Sequence, residues 1–216
     1  MKCSRIDCGD GIIIRRVAIL TAAMARISPS MTLWKRHQIR SVRMSTRPPD
    51  FLQIECCDAT ATDRLGAQIA KSVRDGSVIE LNGQLGSGKT RLVRAICDAL
   101  GIDTSHVNSP TFVLLQLYTD GRIPVAHFDT YRLGDVDEFI AIGAEEFTNS
   151  NDWLCLIEWG ERVIECLPDD RLRINISATS ADARNFDFTS TGPGSSALLQ
   201  RIRETAEAVA GGIRPL

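Results

Sequence analysis

The hydrophobic positions of this chain switch repeatedly between two spacings, which predicts strands and helices in alternation. Apolar residues recur at helical spacing in the predicted helices, as at Leu65, Ile69 and Val73. In the predicted strands they are either consecutive or alternate with polar residues. The predicted strands are residues 51–57, 77–81, 111–118, 123–128, 153–159, 171–178 and 185–189. The predicted helices are residues 62–73, 89–100, 136–147 and 196–209.

The order of these elements indicates one α/β domain over residues 47–210. Residues 153–159 are apolar except at Glu158, which is typical of a strand covered on both faces. Residues 111–118 and 123–128 flank an Asp-Gly turn and predict a hairpin. The last two predicted strands alternate in the manner of exposed edge strands. A mixed sheet is therefore expected rather than a purely parallel one.

Charge divides the chain into two unequal parts. Residues 1–50 carry ten Lys or Arg and three Asp, a net charge of +7, whereas the remainder carries −9. With 44% hydrophobic residues the chain is too apolar for an unfolded polar chain, and its overall charge of −2 gives no electrostatic argument for binding nucleic acid. We interpret residues 1–46 as a basic leader that is disordered or not translated, and residues 211–216 as a tail.

The leader matches no targeting signal well. Its apolar runs, 12–14 and 17–24, are separated by arginines, and neither reaches the roughly 20 residues that a membrane helix needs. An organelle transit peptide stays open as an alternative, because the segment is rich in Arg and poor in acids. Translation could instead begin at an internal methionine, such as Met44.

The seven cysteines favour a reducing compartment. Their number is odd, and no Cys-x-x-Cys pair is present. Cys97 and Cys155 lie within apolar runs, where cysteine behaves as a small buried hydrophobic residue. A zinc site or a disulfide framework is not expected, and the cytoplasm is the expected location.

A glycine-rich segment directly after predicted strand 77–81 carries the strongest chemical signal. Gly83-Gln84-Leu85-Gly86-Ser87-Gly88-Lys89-Thr90 matches the phosphate-binding pattern G-x-x-x-x-G-K-[ST]. Glycines let the backbone direct several N–H groups inward, and the N-terminus of the next helix adds partial positive charge. Lys89 can reach the β- and γ-phosphates, and the Thr90 hydroxyl can bind Mg²⁺. The sequence therefore predicts a nucleoside triphosphate site.

Two carboxylates are candidates for holding magnesium and positioning water. Asp129 follows predicted strand 123–128, and Glu158 closes an apolar strand in the manner of a Walker B residue, with Glu in place of the usual Asp. Hydroxyls in Ser109-Pro110-Thr111 could contact phosphate or water. His127 is interpreted as a structural histidine, because a lone histidine after apolar residues is more often structural than catalytic.

Together these segments resemble one bacterial ATPase family, TsaE (also called YjeE), which takes part in making threonylcarbamoyladenosine in tRNA. The resemblance covers about residues 51–203. It rests on Gly83 to Thr90, Ser109-Pro110-Thr111-Phe112, His127-Phe128-Asp129-Thr130-Tyr131-Arg132-Leu133 and Glu158-Trp159-Gly160-Glu161. It implies a three-layer, P-loop NTPase-like α/β fold with a small mixed sheet, and ATP and Mg²⁺ as cofactors.

The resemblance also implies partners. The family hydrolyses ATP slowly and works in a complex with the TsaB and TsaD subunits. ATP turnover there supports modification of adenosine 37 in tRNAs that read codons beginning with A. Contact with tRNA would be indirect, through these subunits, and neither a membrane nor DNA is an expected partner.

Site roles follow from the resemblance by position. Glu158, Asp129 and Lys89 would be catalytic, and Thr90, Glu158 and Asp129 would bind the metal. Nucleotide binding would fall to Gly83, Gln84, Leu85, Gly86, Ser87, Gly88, Lys89, Thr90, Arg91, Thr111, Thr62 and Arg184. Thr111 would lie in a switch-like loop, whereas Thr62 and Arg184 would be peripheral contacts. The chain departs from the family at Gln84, where an acidic residue is common, and at Thr130, where an aliphatic one is common.

Other functions stay open from the residues alone. A small-molecule kinase would share the phosphate loop, but such kinases usually add clustered arginines on a lid, and only Arg122 and Arg132 lie between Arg94 and Arg162. A guanine-nucleotide switch usually has an Asn-Lys-x-Asp segment, which this sequence lacks. An assembly factor that binds ATP without needing its hydrolysis is a third alternative.

Overall fold

The computed structural model describes residues 5–8, 12–15 and 50–210, with side chains from 50 to 206. The strands in these ranges are β1 (Arg5–Cys8), β2 (Ile12–Arg15), β3 (Phe51–Cys56), β4 (Val78–Asn82), β5 (Leu115–Tyr118), β6 (Val125–Asp129), β7 (Leu154–Glu158), β8 (Leu172–Ala178) and β9 (Arg184–Ser190). The helices are α1 (Ala59–Ser72), α2 (Lys89–Ala99), α3 (Val136–Ala141), α4 (Ala144–Thr148) and α5 (Pro193–Ala210), and short 3-10 segments lie at Thr104–His106 and Gly160–Cys166. Within the described ranges, no helix is both long enough and apolar enough to cross a membrane.

The nine described strands form one mixed sheet in the order β1-β2-β3-β9-β8-β4-β7-β6-β5. Parallel pairing joins β8, β4, β7 and β6 in the middle, and antiparallel pairing joins the other neighbours. The prediction of a mixed sheet is confirmed. The prediction that β8 and β9 are edge strands is wrong, because β8 pairs with β4 and β9, and β9 also pairs with β3. Their alternating pattern arises because one face is covered and the other is partly exposed.

Helices cover both faces of the sheet, which gives the expected three-layer α/β architecture. On one face, α1, α2 and α5 pack in a large apolar cluster that includes Leu65, Ile96 and Ile202. On the other face, α3, α4 and the Gly160–Cys166 segment form a second cluster with sheet residues such as Phe128. Strand β7 lies between the two layers and is buried along its whole length, so the prediction of a strand covered on both faces is confirmed.

Three local features differ from the boundaries that the sequence predicts. Residues 136–147 form two helices instead of one, because Gly143 takes a left-handed conformation between them, with φ 75°. Residues 111–114 form a turn before β5 instead of continuing the strand. Helix α5 begins earlier than predicted, at Pro193, since the distant Asp170 accepts hydrogen bonds from backbone N–H groups of its first turn.

Strands β1 and β2 fall within the segment interpreted as a leader. Their backbones pair with each other, and β2 also pairs with β3. The β-branched run from Ile12 to Ile14 suits a strand, and the interpretation of residues 1–46 as a leader stays a prediction. The rest of residues 1–46, including the internal methionines, and residues 211–216 lie outside the described residues.

A buried carboxylate joins β4 to β8 on the face opposite α2. Glu80 is fully buried; Arg171 Nε donates to it at 2.6 Å, Arg173 Nε at 3.2 Å and Asn82 Nδ2 at 2.7 Å. Burial alone would raise the pKa of Glu80, but the hydrogen bonds from Asn82 and Arg171 and the charges of both arginines outweigh it, so its pKa is lowered. Gly160 packs so closely here that a Cβ would lie 2.5 Å from Glu80 Cγ.

We expect Glu80→Gln to destabilise the protein by about 3–5 kcal/mol at pH 7, because it leaves Arg171 buried without a counter-charge. The lowered pKa means that Glu80 stabilises the fold above the ordinary Glu pKa and loses this effect as pH falls through the folded-state pKa. Urea unfolding should therefore show that, as pH falls below the ordinary Glu pKa of about 4.3, the variant loses less stability than the wild type does, each relative to its own value at pH 7.

The matched control for this prediction is Glu165→Gln, at an exposed glutamate. It should change the free energy of unfolding by less than about 0.5 kcal/mol. Equal losses in the two variants would contradict the role of Glu80.

Candidate functional site

The segment between β4 and α2 forms a loop whose backbone requires glycine. Gly83 has φ 145°, and a Cβ there would lie 2.3 Å from the Ile176 carbonyl oxygen. Gly88 has φ 108° at the N-cap of α2, and no side chain caps this helix. The first N–H groups of α2 therefore face the loop without a side-chain acceptor, which is the arrangement that binds phosphate at helix N-termini.

Lys89 lies across this loop. Its Nζ donates to the carbonyl oxygens of Gly83 at 2.7 Å and Gln84 at 3.1 Å, and lies 3.6 Å from the centre of the Trp159 ring. Burial lowers the pKa of Lys89, while the charges of Glu158 and two other carboxylates oppose this shift. The result is a poorly hydrated cation at the position where a phosphate would approach.

Glu158 and Asp129 end adjacent parallel strands and are direct partners in the register of β6 and β7. Thr90 Oγ1 donates to Glu158 Oε2 at 3.0 Å, and His127 Nε2 lies 3.0 Å from Glu158 Oε1. Both carboxylates are almost fully buried. The last residue of β6, the last residue of β7 and the first turn of α2 therefore meet at one edge of the sheet.

Asp129 holds the segment that follows Thr104–His106. Its Oδ2 accepts hydrogen bonds from the Ser109 hydroxyl and, at 2.8 Å, from the Thr111 hydroxyl. Its Oδ1 accepts from the Tyr131 backbone N–H at 2.9 Å. Ser109 and Thr111, which the sequence suggested as phosphate or water contacts, are thus fixed to a candidate metal ligand.

These elements surround a cavity of about 510 Å³, a size typical of small-molecule sites. Its lining residues are Leu85, Gly86, Gly88, Lys89, Thr90, Arg91, Ser109, Thr111, Phe112, Asp129, Tyr131, Arg132, Glu158 and Trp159. Aromatic side chains form part of the wall. The ring centres of Tyr131 and Trp159 are 5.0 Å apart, and the guanidinium carbon of Arg132 lies 4.2 Å from the centre of the Phe112 ring.

The oxygen atoms at the base of this cavity fit Mg²⁺. Mg²⁺ prefers oxygen ligands and is usually held by one or two carboxylates together with phosphate oxygens and water. The Thr90 hydroxyl and Glu158 carboxylate are already in contact, and Asp129 is the register partner of Glu158. The three proposed metal ligands therefore lie together, although each also has hydrogen-bond partners within the protein.

The two residues predicted as peripheral nucleotide contacts, Thr62 and Arg184, have different positions. Thr62 is buried at the start of α1, where its hydroxyl donates to the Asp58 carbonyl oxygen at 3.3 Å, and it does not line the cavity. Arg184 also lies outside the cavity lining, but its Nε donates to the Ser87 carbonyl oxygen at 3.1 Å. Arg184 therefore contacts the loop from outside the cavity lining, and the structure does not bring Thr62 into the site.

His127 and Thr130 contact Glu158 without lining the cavity, and neither was predicted from the sequence to have a role in the site. His127 is two residues before Asp129 on β6, so strand alternation places both side chains on one face, a signal that was present in the sequence. The single Thr130 hydroxyl proton is shared between the carbonyl oxygens of Glu158, 3.1 Å from Oγ1, and Trp159, 2.8 Å from Oγ1. The Trp159 backbone has a left-handed conformation, with φ 62°. No sequence pattern indicated this turn.

Comparison with known proteins relates the chain to one family. Residues 56–186 match the family described as "Threonylcarbamoyl adenosine biosynthesis protein TsaE". The chain is 38% identical over 135 residues to the tRNA threonylcarbamoyladenosine biosynthesis protein TsaE of Bacillus subtilis, which covers 62% of this chain and 81% of that protein. It is also 38% identical over 125 residues to the protein of the same name from Treponema pallidum, covering 57% and 90% of the two chains.

The fold is similar to that of a solved structure. The crystal structure of Bacillus subtilis YdiB superposes with a TM-score of 0.57 and 26% sequence identity, covering 77% of this chain and 99% of that chain.

The Thr130 hydroxyl provides a test of how the turn after β7 is held. We expect Thr130→Val, which removes the hydrogen bond shared by two carbonyl oxygens and keeps the side-chain volume, to lower the free energy of unfolding by about 1–2 kcal/mol. Urea titration followed by far-UV circular dichroism measures this change. Thr60→Val, at an exposed threonine in α1, is the control, and a similar loss in both variants would argue against the turn-holding role.

Proposed function

The chain belongs to the TsaE family of threonylcarbamoyl adenosine biosynthesis proteins, and we propose that it binds and slowly hydrolyses ATP with Mg²⁺ in that pathway. Its hydrolysis of ATP would support a complex with the TsaB and TsaD subunits. That complex would threonylcarbamoylate adenosine 37 of tRNAs that read codons beginning with A.

The single observation that carries this proposal is the contact between Thr90 of the phosphate loop and Glu158 at the end of β7, 3.0 Å apart. A glycine-rich loop alone suits many ligands that contain phosphate. The loop, Lys89, the hydroxyl and a strand-end carboxylate in one cavity suit a nucleoside triphosphate with its magnesium ion.

The proposed mechanism assigns each group a task. Backbone N–H groups of the loop and of the first turn of α2 bind the phosphates, and Lys89 adds a positive charge close to them. Thr90, Glu158 and Asp129 would hold Mg²⁺, which supplies charge neutralisation for the triphosphate when bound. Asp129 would orient the attacking water, or it would orient the hydroxyls of Ser109 and Thr111, which donate to its carboxylate in this structure.

The proposed partners agree with the distribution of charge. The part of the chain after residue 50 has a net charge of −9, which does not favour direct binding to the tRNA backbone. Contact with tRNA through TsaB and TsaD is therefore the better expectation, and the cytoplasm is the proposed location.

The first test uses Lys89→Ala and Glu158→Gln. We expect Lys89→Ala to weaken ATP binding about 10- to 100-fold, because a charge-assisted contact to phosphate is lost. We expect Glu158→Gln to keep ATP binding within a few-fold but to lower kcat about a hundredfold. ATP binding and phosphate release are measured on purified protein, with Lys71→Ala, an exposed lysine in α1, as the matched control.

Reconstitution tests the pathway itself. TsaB, TsaD, tRNA and threonylcarbamoyl-adenylate are combined with and without this protein and ATP. We expect multiple-turnover modification that depends on Lys89. No stimulation here, together with stimulation by the Bacillus subtilis relative, would overturn the proposed function, and full stimulation by Glu158→Gln would favour a role that needs ATP binding without hydrolysis.

Removal of the metal gives a separate prediction. Excess EDTA should abolish ATP hydrolysis and weaken ATP binding, because Thr90 and Glu158 contact the triphosphate mainly through the ion. Added Mg²⁺ should restore both, and Ca²⁺ should restore hydrolysis poorly, since its longer and more variable bonds alter the geometry. Hydrolysis that continues unchanged in EDTA would contradict the assignment of these two residues.

A further inference from the structure

His127 is buried in the sheet next to Glu158 and has no assigned role in the proposed reaction. Its side chain is fully buried, and its Nε2 lies 3.0 Å from Oε1 of Glu158, which is itself 2% exposed. Bulk water therefore has little access to either group. In such a place a carboxylate oxygen requires a hydrogen-bond donor from the protein.

The two oxygens of Glu158 have different donors. Oε2 accepts from the Thr90 hydroxyl at 3.0 Å, whereas Oε1 faces the His127 ring. Because a carboxylate only accepts hydrogen bonds, the hydrogen in the second contact is on Nε2 of His127. The carboxylate cannot rotate without breaking both contacts, so its plane is fixed.

The position of His127 depends on the sheet rather than on a mobile loop. β6 lies between β5 and β7, and His127 is the register partner of Gln116 on one side and of Leu156 on the other. Asp129 follows two residues later, on the same face. The paired backbone of β6 therefore fixes the position of the His127 ring relative to Glu158 at the end of β7.

The other ring nitrogen of His127, Nδ1, indicates that the histidine is not present for packing alone. Nδ1 of His127 is buried and has no hydrogen-bond partner among residues 50–206. A buried polar atom without a partner destabilises a fold, and a leucine would fill this space without that cost. The contact with Glu158 is the feature that histidine offers here and leucine does not.

We propose that His127 is a positioning residue that donates from Nε2 to Oε1 of Glu158 and thereby directs Oε2 towards Thr90, with which Glu158 would hold Mg²⁺. This inference rests on the proposed Mg²⁺-dependent ATP site. Partners that orient a metal-binding carboxylate typically alter metal affinity or activity 10- to 100-fold when they are removed.

The test compares two substitutions of the same residue. His127→Leu removes the donor and keeps an apolar filling, whereas His127→Gln retains an N–H donor. In His127→Leu, we expect kcat to fall about tenfold or more, and the Mg²⁺ concentration that gives half-maximal binding of a fluorescent ATP analogue to rise about tenfold. Binding of the analogue in EDTA should stay within about twofold. His127→Gln should recover a large part of both losses, and His106→Gln, at an exposed histidine, should match the wild type.

Two further readouts separate positioning from packing. Thermal unfolding should show that His127→Leu still folds cooperatively but is less stable than His127→Gln, because Oε1 of Glu158 is left buried without a donor in the Leu variant. Nitrogen-15 NMR of the wild type should show a proton on Nε2 of His127, and its signal should shift in Glu158→Gln.

Several results would overturn the inference. They are wild-type Mg²⁺ dependence in His127→Leu, equal losses in the Leu and Gln variants, or an Nε2 signal that does not respond to Glu158→Gln. If the wild type proves not to hydrolyse ATP, the proposed function fails, and the NMR and Mg²⁺-binding results still decide the role of His127.

Discussion

The parallel register of β4, β7 and β6 is the constraint on which the rest of the site depends. Leu81 and Asp129, on the two neighbouring strands, are both register partners of Glu158. The carboxyl ends of the three strands therefore meet at one edge, and the phosphate loop begins there, directly after β4. This alignment gives the 3.0 Å contact between Thr90 and Glu158, which joins the loop to the strand-end carboxylate.

Burial makes the charges at this edge interdependent. Lys89, Asp129 and Glu158 are each almost fully removed from solvent, where an uncompensated charge is costly. The Lys89 ammonium is satisfied by two loop carbonyl oxygens and the Trp159 ring, and the carboxylates by hydroxyl, backbone and imidazole groups. A triphosphate with its cation would enter a site whose groups are already positioned, which reduces the reorganisation that binding requires.

The two faces of the sheet contribute differently. His127 lies on the face covered by α2, and Glu80 and its arginines lie on the opposite face, where Arg171 contacts the carboxylate at 2.6 Å. Asn82 connects Glu80 to the segment after Trp159, since its side-chain oxygen accepts from the Glu161 backbone N–H at 3.3 Å. The turn that carries Glu158 and Trp159 is thus held by polar contacts from β4 as well as from Thr130.

The sequence by itself determined the local chemistry of this protein. Period-two and helical spacings predicted most strands and helices, because burial of one face imposes those spacings directly. The pattern from Gly83 to Thr90 identified the phosphate loop, since its backbone geometry and its lysine are encoded within eight consecutive residues. Asp129 and Glu158 could be found because each closes an apolar strand. Tertiary structure decided what depends on distant residues: the internal positions of β8 and β9, the cap that Asp170 gives to α5, the exclusion of Thr62 from the cavity, and the contacts of His127 with Glu158 and of Arg171 with Glu80. Each of these depends on residues that are far apart in the chain, and the spacing of residues along the sequence does not indicate which distant residues meet.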